Sequence, residues 1–162
     1  MKKILVVLTV FALFSCQTHN NNEALLQSRI DSLQTQLSET YKPGFGDFMS
    51  NIQAHHAKLW YAGKNQNWKL AEYEVKEIRE NFDDIKKYET DRNEVNLIGM
   101  IVPPLEQVSK AIQNKDMEQF NNNFTTLTKT CNACHLAAKY EFNVVKIPDE
   151  QTFSNQDFKP AK

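Results

Sequence analysis

Glycine, proline and cysteine are scarce in this chain of 162 residues, which contains four glycines, five prolines and three cysteines. The scarcity of turn-forming residues argues against a β-rich fold and favours long helices. Lysine and arginine together number 19 against 20 aspartates and glutamates, and no basic block occurs, so we expect no nucleic-acid binding. The sequence also lacks a glycine-rich phosphate loop, a nucleophile paired with a base, and catalytic carboxylates at a recognisable spacing. We therefore do not expect an enzyme.

The start of the chain has the pattern of an export signal. Two lysines precede a run from Ile4 to Phe14 that is apolar apart from Thr9 and too short for a membrane-spanning helix. Residues 13–16, Leu-Phe-Ser-Cys, resemble a bacterial lipobox, in which the cysteine is acylated and becomes the first mature residue. An acylated Cys16 would anchor the protein to a membrane surface without spanning it. We predict a signal peptide at residues 1–15 and a lipoprotein on the periplasmic side of a bacterial membrane, with a plain secreted product as the alternative.

Residues 16–46 are predicted to form a lipidated leader that contains one short helix. Apolar side chains recur there at spacings of 4, 3 and 4, the seam of a short coiled coil: Leu26, Ile30, Leu33 and Leu37. Two heptads are marginal for an isolated helix, so this stretch either docks on the following domain, self-associates into a homodimer, or frays. Residues 42–46, which include Pro43 and two glycines, break the helix and mark the domain boundary.

Four later stretches repeat apolar residues with helical periodicity, which predicts an all-α domain at residues 47–148. The predicted helices span about 47–61, 68–87, 94–113 and 116–138. Gly63 is a candidate C-cap for the first, and Pro103 and Pro104 should kink or divide the third. An extended segment at 142–148 should lie over the helices or the cofactor edge, and the polar tail at 149–162 is predicted to be loose.

One pentapeptide, Cys-Asn-Ala-Cys-His at residues 131–135, indicates which kind of cofactor the protein binds. This pattern is typical of covalent haem attachment, in which two thiols form thioethers with the vinyl groups and the adjacent histidine binds the iron. All three cysteines are then used, one for lipid and two for haem c, and bacteria attach haem in the exported compartment. A structural zinc site would need a fourth ligand, usually from a second cysteine pair, which the chain lacks. A thioredoxin-like redox site would need a βαβ setting.

Four amphipathic helices with this motif near the end of the last one resemble the class II c-type cytochromes, the cytochrome c-prime group, over roughly Asp47 to Tyr140. The resemblance implies an antiparallel four-helix bundle, haem attachment at Cys131 and Cys134, and His135 as the proximal iron ligand. Low-spin members of that family place a methionine on the first helix as the second axial ligand, and Met49 matches that position. Members with five-coordinate iron keep an apolar residue there.

The second axial position has two further candidates: a histidine from the pair His55 and His56, or no protein ligand. His56 lies seven residues beyond Met49, which at 1.5 Å per residue is about 10 Å along the helix, too far to bind the same iron. It is otherwise interpreted as a buried, hydrogen-bonded side chain. The prediction is a membrane-anchored monohaem cytochrome that passes single electrons to redox protein partners. The alternatives are a gas-binding or gas-sensing haem protein with an open distal site, and a haem-free structural or zinc-binding lipoprotein.

Overall fold

The structure, a computed structural model, describes residues 22–40 and 43–161. The predicted signal peptide and Cys16 lie outside the described residues. The chain divides between Lys42 and Pro43 into two units. In the first unit, helix α1 spans residues 22–39, and the apolar side chains of its predicted seam are all exposed. Among the described residues, none of the helices is both long enough and apolar enough to cross a membrane.

The regular secondary structure of the second unit is entirely helical, and no strand occurs in the described residues. Its elements are α2 (Phe45–Lys64), α3 (Trp68–Tyr88), a 3₁₀ helix (Asn93–Met100), α4 (Val102–Gln113) and α5 (Met117–Ala137). The most extensive packing joins α2 to α3 and α4 to α5, and α2 also contacts α5. The prediction of an all-α fold is confirmed.

The interruption expected at Pro103 and Pro104 is present. Residues 94–113, predicted as one helical stretch, form the 3₁₀ helix and then α4, with Ile101 between them. Both prolines lie in the first turn of α4, where the backbone N–H groups have no partner within the helix. Their missing donors therefore cost no helical hydrogen bond at this position.

Gly63 has a different role from the predicted C-cap. Helix α2 continues to Lys64, its C-cap is Asn65, and the left-handed conformation that favours glycine is adopted by Gln66, with φ of 56°. A Cβ atom at Gly63 would overlap the ring of Phe120. The glycine is therefore required by the close approach of α5 to α2 and not by the end of the helix.

The end of the chain packs on the helices, although we expected a loose tail. Phe158 is 3% exposed, and its ring centroid lies 5.4 Å from that of Tyr61. Phe153 also packs against the core, and the Asn67 side chain donates a hydrogen bond of 3.1 Å to the Lys159 carbonyl. This segment has no regular secondary structure through residue 161, so its anchoring depends on single aromatic side chains that no periodic pattern reveals.

Candidate cofactor site

A cavity of about 340 Å³ opens beside the C-terminal end of α5. This volume lies within the range of small-molecule and cofactor sites, roughly 300–1,000 Å³. Its wall includes Phe45, Met49, Ile52 and His56 from α2, Cys131, Cys134 and His135 from α5, and Phe82, Glu94, Ile98, Tyr140, Asn143 and Val145 from other segments. The structure thus brings the predicted site residues together in one largely apolar cavity, although Met49 is far from the motif in the sequence.

The two motif cysteines are half-buried and are not joined by a disulfide. Burial, together with the nearby Cys134, raises the pKa of the Cys131 thiol to about 12. Burial also raises the pKa of Cys134, whose thiol donates a weak hydrogen bond of 3.8 Å to the Leu97 carbonyl. Both zinc binding and disulfide exchange use the thiolate, which these surroundings disfavour. Uncharged sulfur, as in a thioether, suits the site better.

His135 lies in the last turn of α5 with one ring nitrogen already engaged. Its Nδ1 is 2.6 Å from the backbone carbonyl oxygen of Asn143. A carbonyl can only accept, so Nδ1 carries the proton and donates it, which leaves the Nε2 lone pair for a metal. This is the arrangement that metal-binding histidines commonly adopt.

The chain reverses after α5 and returns across the motif. Lys139 adopts the left-handed conformation, with φ of 63°, and Tyr140 N–H donates to the His135 carbonyl at 2.7 Å. These features close the helix in the manner of a Schellman motif. We call residues 141–147, which follow this turn, the strap. The strap overlaps residues 142–148, which the sequence predicted to be an extended segment over the helices or the cofactor edge, and it contributes Asn143 and Val145 to the cavity wall.

His56 lines the cavity, but its Nε2 is committed elsewhere. The side chain is 4% exposed, and Nε2 lies 2.9 Å from Thr128 Oγ1. Thr128 donates its own proton to the Phe124 carbonyl at 3.0 Å, so its oxygen accepts from His56 Nε2–H. Burial lowers the pKa of His56 to about 4, which keeps the ring neutral near pH 7.

His55 is paired with acidic side chains on α3 and is not part of the cavity wall. Its Nδ1 lies 2.6 Å from Glu74 Oε2, and its Nε2 lies 3.9 Å from Glu77 Oε2. Glu74 is only 1% exposed, so His55 is the partner of a buried carboxylate. The two adjacent histidines therefore contact different helices.

Glu94 and Asn143 are among the cavity residues that sequence reasoning did not assign to the site. Glu94 accepts a long hydrogen bond of 3.4 Å from the Tyr140 hydroxyl and lies 3.6 Å from the Arg92 guanidinium. Asn143 acts through its backbone carbonyl, which every residue type carries. No sequence signal could therefore have identified the Asn143 contact.

Within residues 22–40 and 43–161, no group of three or more His, Cys, Asp or Glu side chains is arranged to hold a metal ion. Haem iron needs fewer protein ligands, because the porphyrin supplies four ligands and the protein supplies only axial ones. The residues present fit a covalently held haem: two half-buried thiols, a histidine with a free Nε2, and an apolar cavity beside them. Comparisons with protein-family models, curated proteins and solved structures returned no significant match.

Proposed function

We propose that this protein is a monohaem c-type cytochrome that carries single electrons between redox protein partners. The observation that supports it best is the placement of Cys131, Cys134 and His135 on one apolar cavity, with His135 Nδ1 bonded to a carbonyl and Nε2 free. In this proposal helices α2 to α5 form an antiparallel four-helix bundle of the cytochrome c-prime type. The protein is exported and held at the periplasmic side of a bacterial membrane by lipid on Cys16.

Each residue of the site has a distinct task in this proposal. Cys131 and Cys134 form the thioethers, and His135 Nε2 is the proximal ligand. When bound, haem c supplies an iron that accepts and releases one electron. Buried Ile98 and Phe82 line the cavity and limit the access of water to it.

Met49 is proposed as the second axial ligand. It is partly buried, packs against the core and lines the same cavity as His135. A thioether on the iron would favour the low-spin state, raise the reduction potential and leave no position for a diatomic gas. Electron transfer is favoured by such a closed site, whereas gas binding requires an open one.

The first test is covalent attachment. Protein expressed with the bacterial haem-attachment machinery should have the mass of the polypeptide plus one haem. Replacement of both Cys131 and Cys134 by alanine should leave no tightly held haem. A double variant that still carries a full complement of haem would contradict the proposed attachment.

The second test separates an electron carrier from a gas-binding protein through Met49. The oxidised wild type should show a sulfur-to-iron charge-transfer band that disappears in Met49→Ala, and carbon monoxide should bind only the reduced variant. Met100→Ala is the matched control, because Met100 lies on the 3₁₀ helix, is 40% exposed and does not line the cavity. Rapid carbon monoxide binding by the wild type would favour the gas-binding function instead.

A further inference from the structure

The strap has no ladder of backbone hydrogen bonds to fix it, yet it delivers one carbonyl to the ligand histidine. The Asn143 carbonyl accepts from His135 Nδ1 at 2.6 Å, while Asn143 N–H donates to the Tyr140 carbonyl at 2.9 Å. The side chains of Phe142 and Val144 are 79% and 71% exposed, so they contribute little to holding this part of the chain. Ile147, at the far end of the strap, packs against the hydrophobic core, so a restraint closer to the Asn143 carbonyl has to come from another contact.

The side chain of Asn132 supplies that restraint. Val145 N–H donates to Asn132 Oδ1 at 2.8 Å, and Asn132 Nδ2 donates to the Val145 carbonyl at 2.8 Å. The amide thus pairs with both polar groups of one strap residue, as a neighbouring β-strand would. Only a side chain with a donor and an acceptor side by side can do this, which limits the choice to asparagine or glutamine.

We call the two hydrogen bonds between Asn132 and Val145 the clamp. The geometry of α5 links the clamp to His135. Asn132 and His135 are three residues apart on α5, so their side chains leave the same face of the helix. The strap residues that they bind, Val145 and Asn143, are two apart, which suits an extended chain that crosses that face. The Asn143 carbonyl lies between two attachments: the hydrogen bond from Asn143 N–H to the Tyr140 carbonyl and the Asn132–Val145 pair. Release of the strap at Val145 would remove the second.

We propose that Asn132, one of the two variable residues inside the Cys-x-x-Cys-His motif, is a positioning residue for His135. By holding the strap, it keeps the Asn143 carbonyl on Nδ1, which fixes the Nδ1–H tautomer and the ring orientation. A hydrogen bond from Nδ1 makes Nε2 a stronger electron donor, and a stronger donor stabilises the oxidised iron. The effect of Asn132 on the iron-binding strength of His135 rests on the proposed haem function, whereas the hydrogen bonds between Asn132 and the strap do not.

The test compares Asn132→Leu with Asn132→Asp in the complete protein. Leucine removes both hydrogen bonds and keeps the number and branching of side-chain heavy atoms, whereas aspartate keeps the acceptor for Val145 N–H and loses the donor. Asn123→Leu is the matched control: Asn123 is also on α5 and donates a single side-chain hydrogen bond, 3.0 Å to the Gln107 carbonyl, away from the motif. The readouts are hydrogen–deuterium exchange of segment 141–147 and the midpoint reduction potential.

Asn132→Leu should accelerate exchange in the strap by about tenfold or more, since two neutral hydrogen bonds are lost, and should raise the reduction potential. Asn132→Asp should accelerate exchange less, because it keeps the acceptor for Val145 N–H, and its added negative charge should oppose any rise in the potential; Asn123→Leu should change neither readout. Unchanged exchange in Asn132→Leu would refute the clamp. Faster exchange with an unchanged potential would refute its action through His135. A wild type without haem would overturn the proposed function, and the exchange result would still decide whether Asn132 holds the strap.

Discussion

Acidification should destabilise this protein through His56, a side chain buried between α2 and α5. It is 4% exposed, its ring centroid lies 4.5 Å from that of Phe124, and burial lowers its pKa to about 4 from an ordinary value of 6.5. In the unfolded chain the same ring takes up a proton near pH 6.5. Between pH 6.5 and 4 the unfolded state therefore binds a proton that the folded state excludes.

The sign of the effect follows from this difference. The contribution of neutral His56 to folding is fully present above about pH 6.5, declines as the pH falls, and is lost near pH 4. At about 1.4 kcal/mol for each pKa unit, the gap between 6.5 and about 4 corresponds to about 3 kcal/mol of unfolding free energy. This is a large fraction of the roughly 5–15 kcal/mol that stabilises a typical domain.

Urea unfolding of the wild type and His56→Gln at several pH values between 4 and 7.5 measures this contribution. Carboxylates titrate in both proteins, so the difference between the two pH profiles isolates His56, and the wild type should lose about 3 kcal/mol more on acidification. Thr128→Val should keep the pH dependence of the wild type, because burial and not the hydrogen bond lowers the pKa. Parallel profiles for wild type and His56→Gln would refute the reasoning.

Two further predictions concern α2 and the proposed lipid anchor at Cys16. Gly63→Ala should lower the unfolding free energy by about 1–3 kcal/mol, because the added methyl overlaps the fully buried Phe120 ring. Gly99→Ala is the control: its added methyl meets nothing within 4 Å, so thermal unfolding should be nearly unchanged. Equal melting temperatures for Gly63→Ala and the wild type would contradict the close-approach argument. Cys16→Ala should move the protein from the membrane fraction to the soluble exported fraction or block its processing, whereas a wild type already found in the soluble exported fraction would exclude the lipid anchor.

The helices could be predicted because their signals are local. On α3 the apolar residues at helical spacing are Ala71, Val75, Ile78 and Phe82, and all four are at most 7% exposed. Asp116, where the fourth helix was predicted to begin, is the N-cap of α5, and its carboxylate accepts from Gln119 N–H at 2.9 Å. The start of α2 was misplaced by two residues: Gly44 is the N-cap, and Asp47 accepts from its N–H at 2.8 Å from within the first turn.

The contacts that could not be predicted join segments far apart in the sequence. From the sequence, Gly63 is a candidate for the end of a helix. Its presence inside α2 is explained by the close approach of Phe120 from α5. Phe158 lies in a polar tail, where a single aromatic residue gives no periodic pattern. The motif identified Cys131 and His135 as candidate cofactor-binding residues. The partner of His135 is a backbone carbonyl on the strap, and a backbone carbonyl has no sequence signature.

The adjacent histidines bear directly on the choice of the second axial ligand. To bind the iron of the proposed haem, His55 would have to leave Glu74, which is 1% exposed, and His56 would have to leave Thr128 to bind through Nε2. A buried polar group left without a partner costs about 1–3 kcal/mol, more when it is charged. The Met49 thioether is only a weak acceptor, so turning it toward a metal breaks no strong hydrogen bond. The spectrum of the oxidised protein should therefore depend on Met49 and be the same in His56→Gln as in the wild type, whereas a bis-histidine spectrum that survives Met49→Ala would exclude the thioether as the ligand.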